Sequence, residues 1–191
     1  MTGVKEGDPM KQFEDQLRRL LDERAIHAVL LRYCRGVDRC DESLVASCYH
    51  DDACDDHGNW LGHGAGIAPH ILGLVKPGRA AAMHFVGNVS IEVEGDVAFS
   101  ESYVLALRVS GRNGKKYTRT RAARFVDRFE RREGLWKISE RVVVDDWNRV
   151  DEILEHQEGS EQFRYSSKDD SDPVFAIRRG RVARTSVSEQ L

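Results

Sequence analysis

The sequence feature that most constrains the fold is a change in hydrophobic period near Gly78. Before it, apolar residues recur at helical spacing from residue 11 to 37, which predicts one long helix or two helices joined near Asp22. After it, alternating segments predict four long strands: "MHFVGNVSIEV", "VAFSESYVLALRV", "YTRTRAARFVDRFER" and "LWKISERVVVDDW". Helices followed by an antiparallel meander indicate an α+β fold rather than a parallel βαβ fold.

Shorter segments complete the predicted order of elements. Asp41 is expected to cap a short helix that begins at "ESL", and a third helix is predicted over about residues 65–75. Residues 52–60 are consistent with an edge strand or a hairpin. We expect residues 1–150 to form one α+β domain and residues 151–191 a C-terminal extension, which from residue 159 is either mobile or docked on a neighbouring subunit.

Composition excludes several classes of protein. The chain has 29 Lys and Arg against 32 Asp and Glu, a balance that argues against nucleic acid as a partner. No apolar run approaches the roughly 20 residues that span a bilayer, so no membrane association is expected. The 4 cysteines cluster without a C-x-x-C motif and no signal peptide is visible, which favours reduced thiols in a cytoplasmic protein.

Association between copies of the chain is also predicted. Apolar residues such as Val104 and Ala106 are expected beside charged residues on the outer face of the sheet, and the extension has few apolar anchors of its own. We therefore expect a homo-oligomer, either a dimer or a trimer.

Asp38 stands where the first helix is expected to end, in "RYCRGVDRCDESL". On a helical wheel it extends the flank of the apolar stripe that contains Tyr33 and Val37, so it would be covered by whatever the stripe packs on. A covered carboxylate needs a cation, hydrogen-bond donors or water. The alternative is that Asp38 is an exposed cap of the following turn.

His84 lies in the first predicted strand. Simple alternation places His84 and Asn88 on the less apolar face, which is either solvent-exposed or the lining of a polar cavity between sheet and helices. Gly87 can mark a β-bulge that resets this register, so alternation alone leaves both possibilities open.

Four motifs in this order resemble the SnoaL-like family of the nuclear-transport-factor-two-like superfamily. They are "RY(x)4D(x)2D", "HDDACDDHGNWLGHG", "MHFVGNVSIEVEGDVAFSESY" and "RFVDRFERREGLWKISERVVVDDW", and the resemblance covers about residues 20–150. It implies a cone, in which a strongly curved antiparallel sheet wraps around helices and encloses a pocket.

The resemblance also implies a set of site residues. Tyr33, Asp38 and His84 match the catalytic groups of scytalone dehydratase, bile acid dehydratase and hexachlorocyclohexane dehydrochlorinase, and Arg141 matches an arginine of the dehydrochlorinase. The remaining candidate substrate contacts are Trp60, Asn88 and Trp147, the two tryptophans being expected in the core or the pocket wall.

These residue types suit removal of a proton beside a leaving group. Imidazole is a base at neutral pH, and a carboxylate on its other nitrogen fixes the tautomer. The sequence therefore favours a lyase or isomerase that needs no cofactor and acts on a ring-containing, largely apolar small molecule. A non-catalytic binding or accessory domain remains the alternative. The His- and Asp-rich segment 50–63 matches no zinc motif, so no bound metal is expected.

Overall fold

The computed structural model describes residues 8–75 and 81–180. A single helix, α1, spans Pro9–Arg39, which settles the choice between one helix and two. Asp8 caps its start by accepting from the Met10 amide at 3.0 Å, and the helix ends where Cys40 takes a left-handed φ of 52°. No described helix is long and apolar enough to cross a membrane.

The remaining helices are short. Helix α2 spans Glu42–Ala46, and Asp41 caps it as predicted by accepting from the Leu44 amide at 2.9 Å. Helix α3, Ile67–Leu74, follows a 3₁₀ turn at Gly64–Gly66 and confirms the third predicted helix. A further 3₁₀ turn, Ser160–Gln162, and helix α4, Pro173–Arg178, lie in the C-terminal extension.

In the part of the chain that the structure describes, six strands form one sheet, and its meander matches the four predicted strands. Tight turns join its strands, with Gly95, Gly114 and Gly134 at φ values of 66°, 74° and 78° that favour glycine. The hairpin expected near residues 52–60 is present as the first two strands. The strands are β1 Tyr49–Asp56, β2 Leu61–His63, β3 Ala82–Glu94, β4 Val97–Arg112, β5 Lys115–Arg132 and β6 Leu135–Ile153.

The sheet has the strand order β2-β1-β6-β5-β4-β3. The meander β3 to β6 is antiparallel, as predicted, whereas β1 pairs with β6 in parallel, so the sheet is mixed. The sheet is curved but not closed, because β2 and β3 remain at its two edges. The α+β architecture predicted from the sequence is confirmed.

The core lies between α1 and the concave face of the sheet. The helix contributes a buried stripe that includes Ile26, Leu30 and Tyr33, and the sheet contributes Phe129 and Ile138. Val104 and Ala106 differ from expectation: Val104 is buried in the core, and Ala106 pairs with His84 across β3 and β4, so both residues lie on the inner face. The exposed apolar residues of β3 and β4 are instead Met83, Phe85, Phe99, Tyr103 and Leu105.

A β-bulge in β3 decides which residues face the helices. The register with β4 shifts between Val86 and Val89. Before the bulge Val86 packs against the core and Phe85 is exposed, whereas after it the odd-numbered Val89 and Ile91 pack inward. The bulge therefore allows β3 to turn His84 toward the helices without exposing its later apolar residues.

Asp22 links the middle of α1 to the far end of the sheet. Its Oδ1 accepts from Trp136 Nε1 at 2.8 Å and from Arg131 Nη1 at 2.7 Å. Asp22→Ala leaves the buried indole N–H without its partner, so we expect it to lower the free energy of unfolding by about 1–3 kcal/mol. Urea denaturation measures this. Asp15→Ala, on an exposed part of α1, is the control, and equal midpoints for the two variants would contradict the prediction.

The described part of the C-terminal extension packs on its own chain. Arg39, near the end of α1, donates to the Ser167 carbonyl at 2.9 Å and to Asp172 Oδ2 at 2.6 Å. Asp172 also accepts from the amides of Ser167 and Val174, and it is buried. Arg39 thus supplies this part of the extension with an intramolecular partner that the sequence did not predict, and docking on a neighbouring subunit stays a prediction. Residues 181–191 lie outside the described residues.

Candidate active site

Asp38 and His84 form a two-point contact between α1 and β3. Asp38 Oδ1 lies 2.7 Å from His84 Nδ1, and Asp38 Oδ2 accepts from the backbone amide of His84 at 3.0 Å. Both side chains are mostly buried, with 20% and 15% of their surface exposed. Because an ionised carboxylate only accepts hydrogen bonds, Nδ1–H is the donor, which leaves the Nε2 lone pair available in the neutral ring.

The local structure explains why this contact forms. Asp38 occupies the last turn of α1, where the negative end of the helix dipole disfavours a carboxylate, so donors from outside the helix are needed. The amide and ring of His84 supply two of them. Among residues 8–75 and 81–180, no residue bonds Nε2 of His84.

The pair lies in the wall of a cavity of about 750 Å³, a volume typical of small-molecule sites. The lining comes from the C-terminal half of α1, the start of β3, the end of β4 and residues 166–168 of the extension. Apolar and cationic residues share this lining. The principal apolar residues are Leu31, Met83, Phe85, Val86, Leu107 and Val109.

A separate network of charged residues lies inside the cone. Arg141 is fully buried and donates from Nε and Nη2 to the two carboxylate oxygens of Asp127, both at 2.7 Å. Its guanidinium carbon lies 4.3 Å from the ring centre of Tyr33 and 4.0 Å from that of Phe125. Burial alone would lower the pKa of Arg141, but the charge of Asp127 raises it well above its usual value. Arg141 therefore stays charged inside the core.

A second His–Asp contact adjoins this network. His57 Nδ1 contacts Asp55 Oδ1, and the hydroxyl of Tyr49 donates to Asp55 Oδ2 at 2.6 Å. Burial opposes ionisation of Asp55, yet the contact with His57 and the charge of Arg141 lower its pKa. Within the described ranges no three His, Cys, Asp or Glu residues come together in a way that could hold a metal ion.

The model of the SnoaL-like domain matches residues 18–142, which is more than half of the chain. The chain belongs to the SnoaL-like family. The match confirms the resemblance that the sequence motifs of this SnoaL-like protein indicated. No curated protein sequence gives a significant match to it.

Solved structures show the same fold. The SnoaL-like protein is 23% identical to a hexachlorocyclohexane dehydrochlorinase (LinA) type 2, with a TM-score of 0.65 over 76% of this chain and 99% of that one. LinA-type3 from Novosphingobium barchaimii gives 23% identity and a TM-score of 0.63, covering 74% and 97% of the two chains. A Nostoc punctiforme protein of unknown function with a cystatin-like fold is 18% identical, with a TM-score of 0.55 over 66% of this chain and 92% of that one.

The structure separates the residues that the sequence singled out. Asp38 and His84 line the cavity of the SnoaL-like protein, whereas Tyr33 and Arg141 do not. Tyr33 is buried with its ring against Arg141, and burial raises the pKa of its hydroxyl well above the usual value. Two hydrogen bonds to Asp127 hold Arg141 in the core, so it is not placed to contact a ligand in this cavity.

The three remaining candidates also lie outside the cavity lining. Trp60 stacks on His70, with ring centres 3.8 Å apart, and packs on the edge of the core. Asn88 is exposed at the β-bulge of β3, which turns it away from the face that carries His84. Trp147 lies on β6 with 52% of its surface exposed.

The cavity also contains residues that sequence reasoning missed. Four cations line it, and one of them, Lys168, comes from the C-terminal extension. Nothing in the sequence connects this segment to α1, because the contact of Ser167 with Arg39 spans 128 residues. The cationic residues are Arg35, Arg39, Arg108 and Lys168.

The reactivity of Cys34 tests whether water and reagents reach the part of the cavity wall behind the Asp38–His84 contact. Burial raises the pKa of the Cys34 thiol to about 12, so little reactive thiolate forms between pH 7 and 9. We expect iodoacetamide to leave Cys34 unmodified across this range in the folded protein and to modify it in urea. Peptide mass spectrometry measures this, with the less buried Cys40 as the internal control. Equal modification of both thiols in the folded protein would contradict the prediction.

Proposed function

We propose that this SnoaL-like protein is a lyase, or an isomerase, that acts on a ring-containing small molecule with His84 as the general base. The observation that supports this most is the two-point contact of Asp38 with His84, at 2.7 and 3.0 Å, in the wall of a cavity. The dehydrochlorinases described above share this fold, which supports the proposal.

In the proposed reaction Nε2 of His84 takes a proton from a C–H bond of the bound substrate. In an elimination the C–H electron pair forms the new C=C bond. A halide leaves with its own bonding pair, whereas a hydroxyl leaves with its bonding pair and takes up a proton, from the His84 imidazolium or from solvent, to form water. In an isomerisation the imidazolium returns the proton to another carbon. Neither reaction changes the net oxidation state of the substrate, so the chemistry requires no redox cofactor.

Asp38 is proposed as a positioning residue. It holds His84 in the tautomer with Nε2 unprotonated, and its charge stabilises the imidazolium that forms. Its second oxygen, bound to the amide of His84, ties the ring to the backbone that carries it. The base is thus preorganised before substrate enters.

A binding or accessory domain is the second candidate function. The observation that favours it is that Tyr33 and Arg141, the expected donors to a leaving group, are outside the cavity lining. An eliminating enzyme must then draw its leaving-group donor from another lining residue or from water.

A substrate screen in D₂O separates the alternatives. Cyclic alcohols and halides with an activated neighbouring C–H are incubated with wild-type protein and with His84→Ala, and products are followed by NMR. A lyase releases water or halide, an isomerase incorporates deuterium, and a binding domain does neither. Compounds that bind both proteins equally and are turned over by neither would contradict the catalytic proposal and favour the second candidate.

A further inference from the structure

The cavity that contains His84 is unusually rich in positive charge. Arg35 and Arg39 approach it from α1, Arg108 from β4 and Lys168 from the C-terminal extension. Asp38 is the only acidic residue in its described lining, and Asp38 is already bound to His84. The lining therefore has an excess of cations over available carboxylates.

Three of these cations, Arg35, Arg108 and Lys168, have no carboxylate partner among residues 8–75 and 81–180, and two of the three contact backbone carbonyls instead. Lys168 Nζ donates to the Val75 carbonyl at 3.0 Å, and Arg108 Nη1 contacts the Leu74 carbonyl. Both acceptors are neutral backbone groups at the end of α3. Arg39 differs, because Asp172 neutralises it.

The surroundings of Arg108 reinforce this positive potential. Burial, followed by the charges of Arg119 and Arg121, lowers the pKa of Arg108. A partly covered cation with cationic neighbours is stabilised by any anion that comes within contact distance. A cleft lined by charge of one sign also focuses the field on what it binds.

The sheet fixes where such an anion would lie relative to His84. His84 pairs with Ala106, and Arg108 is two residues further along β4 on the same face. Diagonal neighbours of this kind are about 7–8 Å apart. A ring-sized spacer therefore separates a group bound by Arg108 from an atom in contact with His84. Val86, on the same face of β3 as His84, and Leu31 of α1 supply apolar lining beside that spacer.

We propose that the ligand of this cavity is an apolar ring system that carries an anionic group, a carboxylate or a phosphate, bound by Arg108 and Lys168. The inference rests on the proposed function and narrows its substrate class: the reacting C–H lies against His84 and the anion lies one ring away. Recognition of the anion does not depend on the proton transfer.

Matched probes test the charge requirement. Naphthalene-2-carboxylate, 2-naphthyl phosphate and the neutral naphthalene-2-carboxamide are titrated into the full chain by calorimetry. We expect at least one of the anions to bind about 10-fold or more tightly than the amide at low salt, and this preference to shrink as salt shortens the Debye length. Whichever anion binds more tightly identifies the group. Equal affinity of all three probes would overturn the proposal.

Two single variants locate the preference. Lys168→Met and Arg108→Gln are each expected to weaken anion binding about 5- to 10-fold and to leave amide binding unchanged. Lys168 lies outside the strands and helices, so Lys168→Met tests the proposal even where Arg108→Gln lowers stability. Arg19→Gln is the control, because Arg19 is exposed on α1 roughly 30 Å from Arg39 at 1.5 Å per residue. Anion affinity that responds equally in all three variants would contradict the assignment.

His84→Ala distinguishes failure of this inference from failure of the proposed function. We expect the variant to retain the preference for the anionic probe, because the anion contacts Arg108 and Lys168. A retained preference without turnover in any screen supports the inference and counts against the lyase or isomerase. Turnover of neutral compounds by the wild-type protein, with no preference for anionic probes, would support the proposed function and overturn the inference.

Discussion

His84→Ala is expected to reduce turnover of the substrate by roughly 10²–10⁴-fold, because it removes the proposed base. Asp38→Asn keeps the shape of the side chain but removes its charge and offers an amide to Nδ1, so it is expected to reduce kcat by a similar order with little change in KM. The double variant should be little worse than either single variant, since the two residues act as a unit.

The second His–Asp contact supplies a matched control for that prediction. His57→Ala removes an imidazole bound to Asp55, but His57 is not part of the cavity lining. We expect it to retain near wild-type turnover at temperatures where the protein remains folded. Circular dichroism and thermal unfolding of each variant establish the folded state. A folded His84→Ala protein with normal activity would rule out the mechanism.

Arg141→Met is expected to lower the free energy of unfolding by about 3–5 kcal/mol, because it leaves the buried carboxylate of Asp127 without its bidentate partner. The loss includes the stacking of the guanidinium on Tyr33 and Phe125. Urea denaturation at neutral pH measures the change. The double variant Arg141→Met with Asp127→Leu is expected to recover much of the stability, since it leaves no unpaired charge in the core.

An exposed pair on the same strand is the control for this experiment. Arg149 donates to Asp151 at 2.8 Å with 69% of its side chain exposed, so Arg149→Met is expected to cost less than about 1 kcal/mol. Similar urea midpoints for the two arginine variants would contradict a structural role for Arg141. A loss of probe affinity in a fully stable Arg141→Met protein would instead support the substrate-binding role that the sequence predicted.

The order of elements was predictable because its signals are local. The alternation of apolar and polar residues predicted the strands of the meander, and glycines predicted its turns. Asp41 predicted the start of α2 because it caps that helix. The contact of Asp38 with His84 was anticipated through the family resemblance, whereas alternation alone left the direction of His84 open. Whether a bulge forms at Gly87 depends on how β3 pairs with β4. The sequence of β3 alone therefore does not determine the direction of His84.

The buried partners of Arg141 were not predicted, although a signal existed. Asp127 alternates with Phe125 and Phe129, which places a carboxylate at an inward position of β5, and a buried carboxylate requires a buried cation. Which cation it meets depends on the register between β5 and β6, which pairs Asp127 with Arg141. The packing of Asp172 on Arg39 had no comparable signal, because both residues are ordinary surface types.

The cavity wall formed by residues 166–168 has a consequence for how proteins of this kind diversify. The family match ends at residue 142, so this wall belongs to a segment that the shared domain does not include. Arg39 attaches it to α1, and residues 166–168 belong neither to a strand of the sheet nor to the buried core. Ligand preference can thus drift through substitutions in this segment, while selection on folding acts on a different part of the chain.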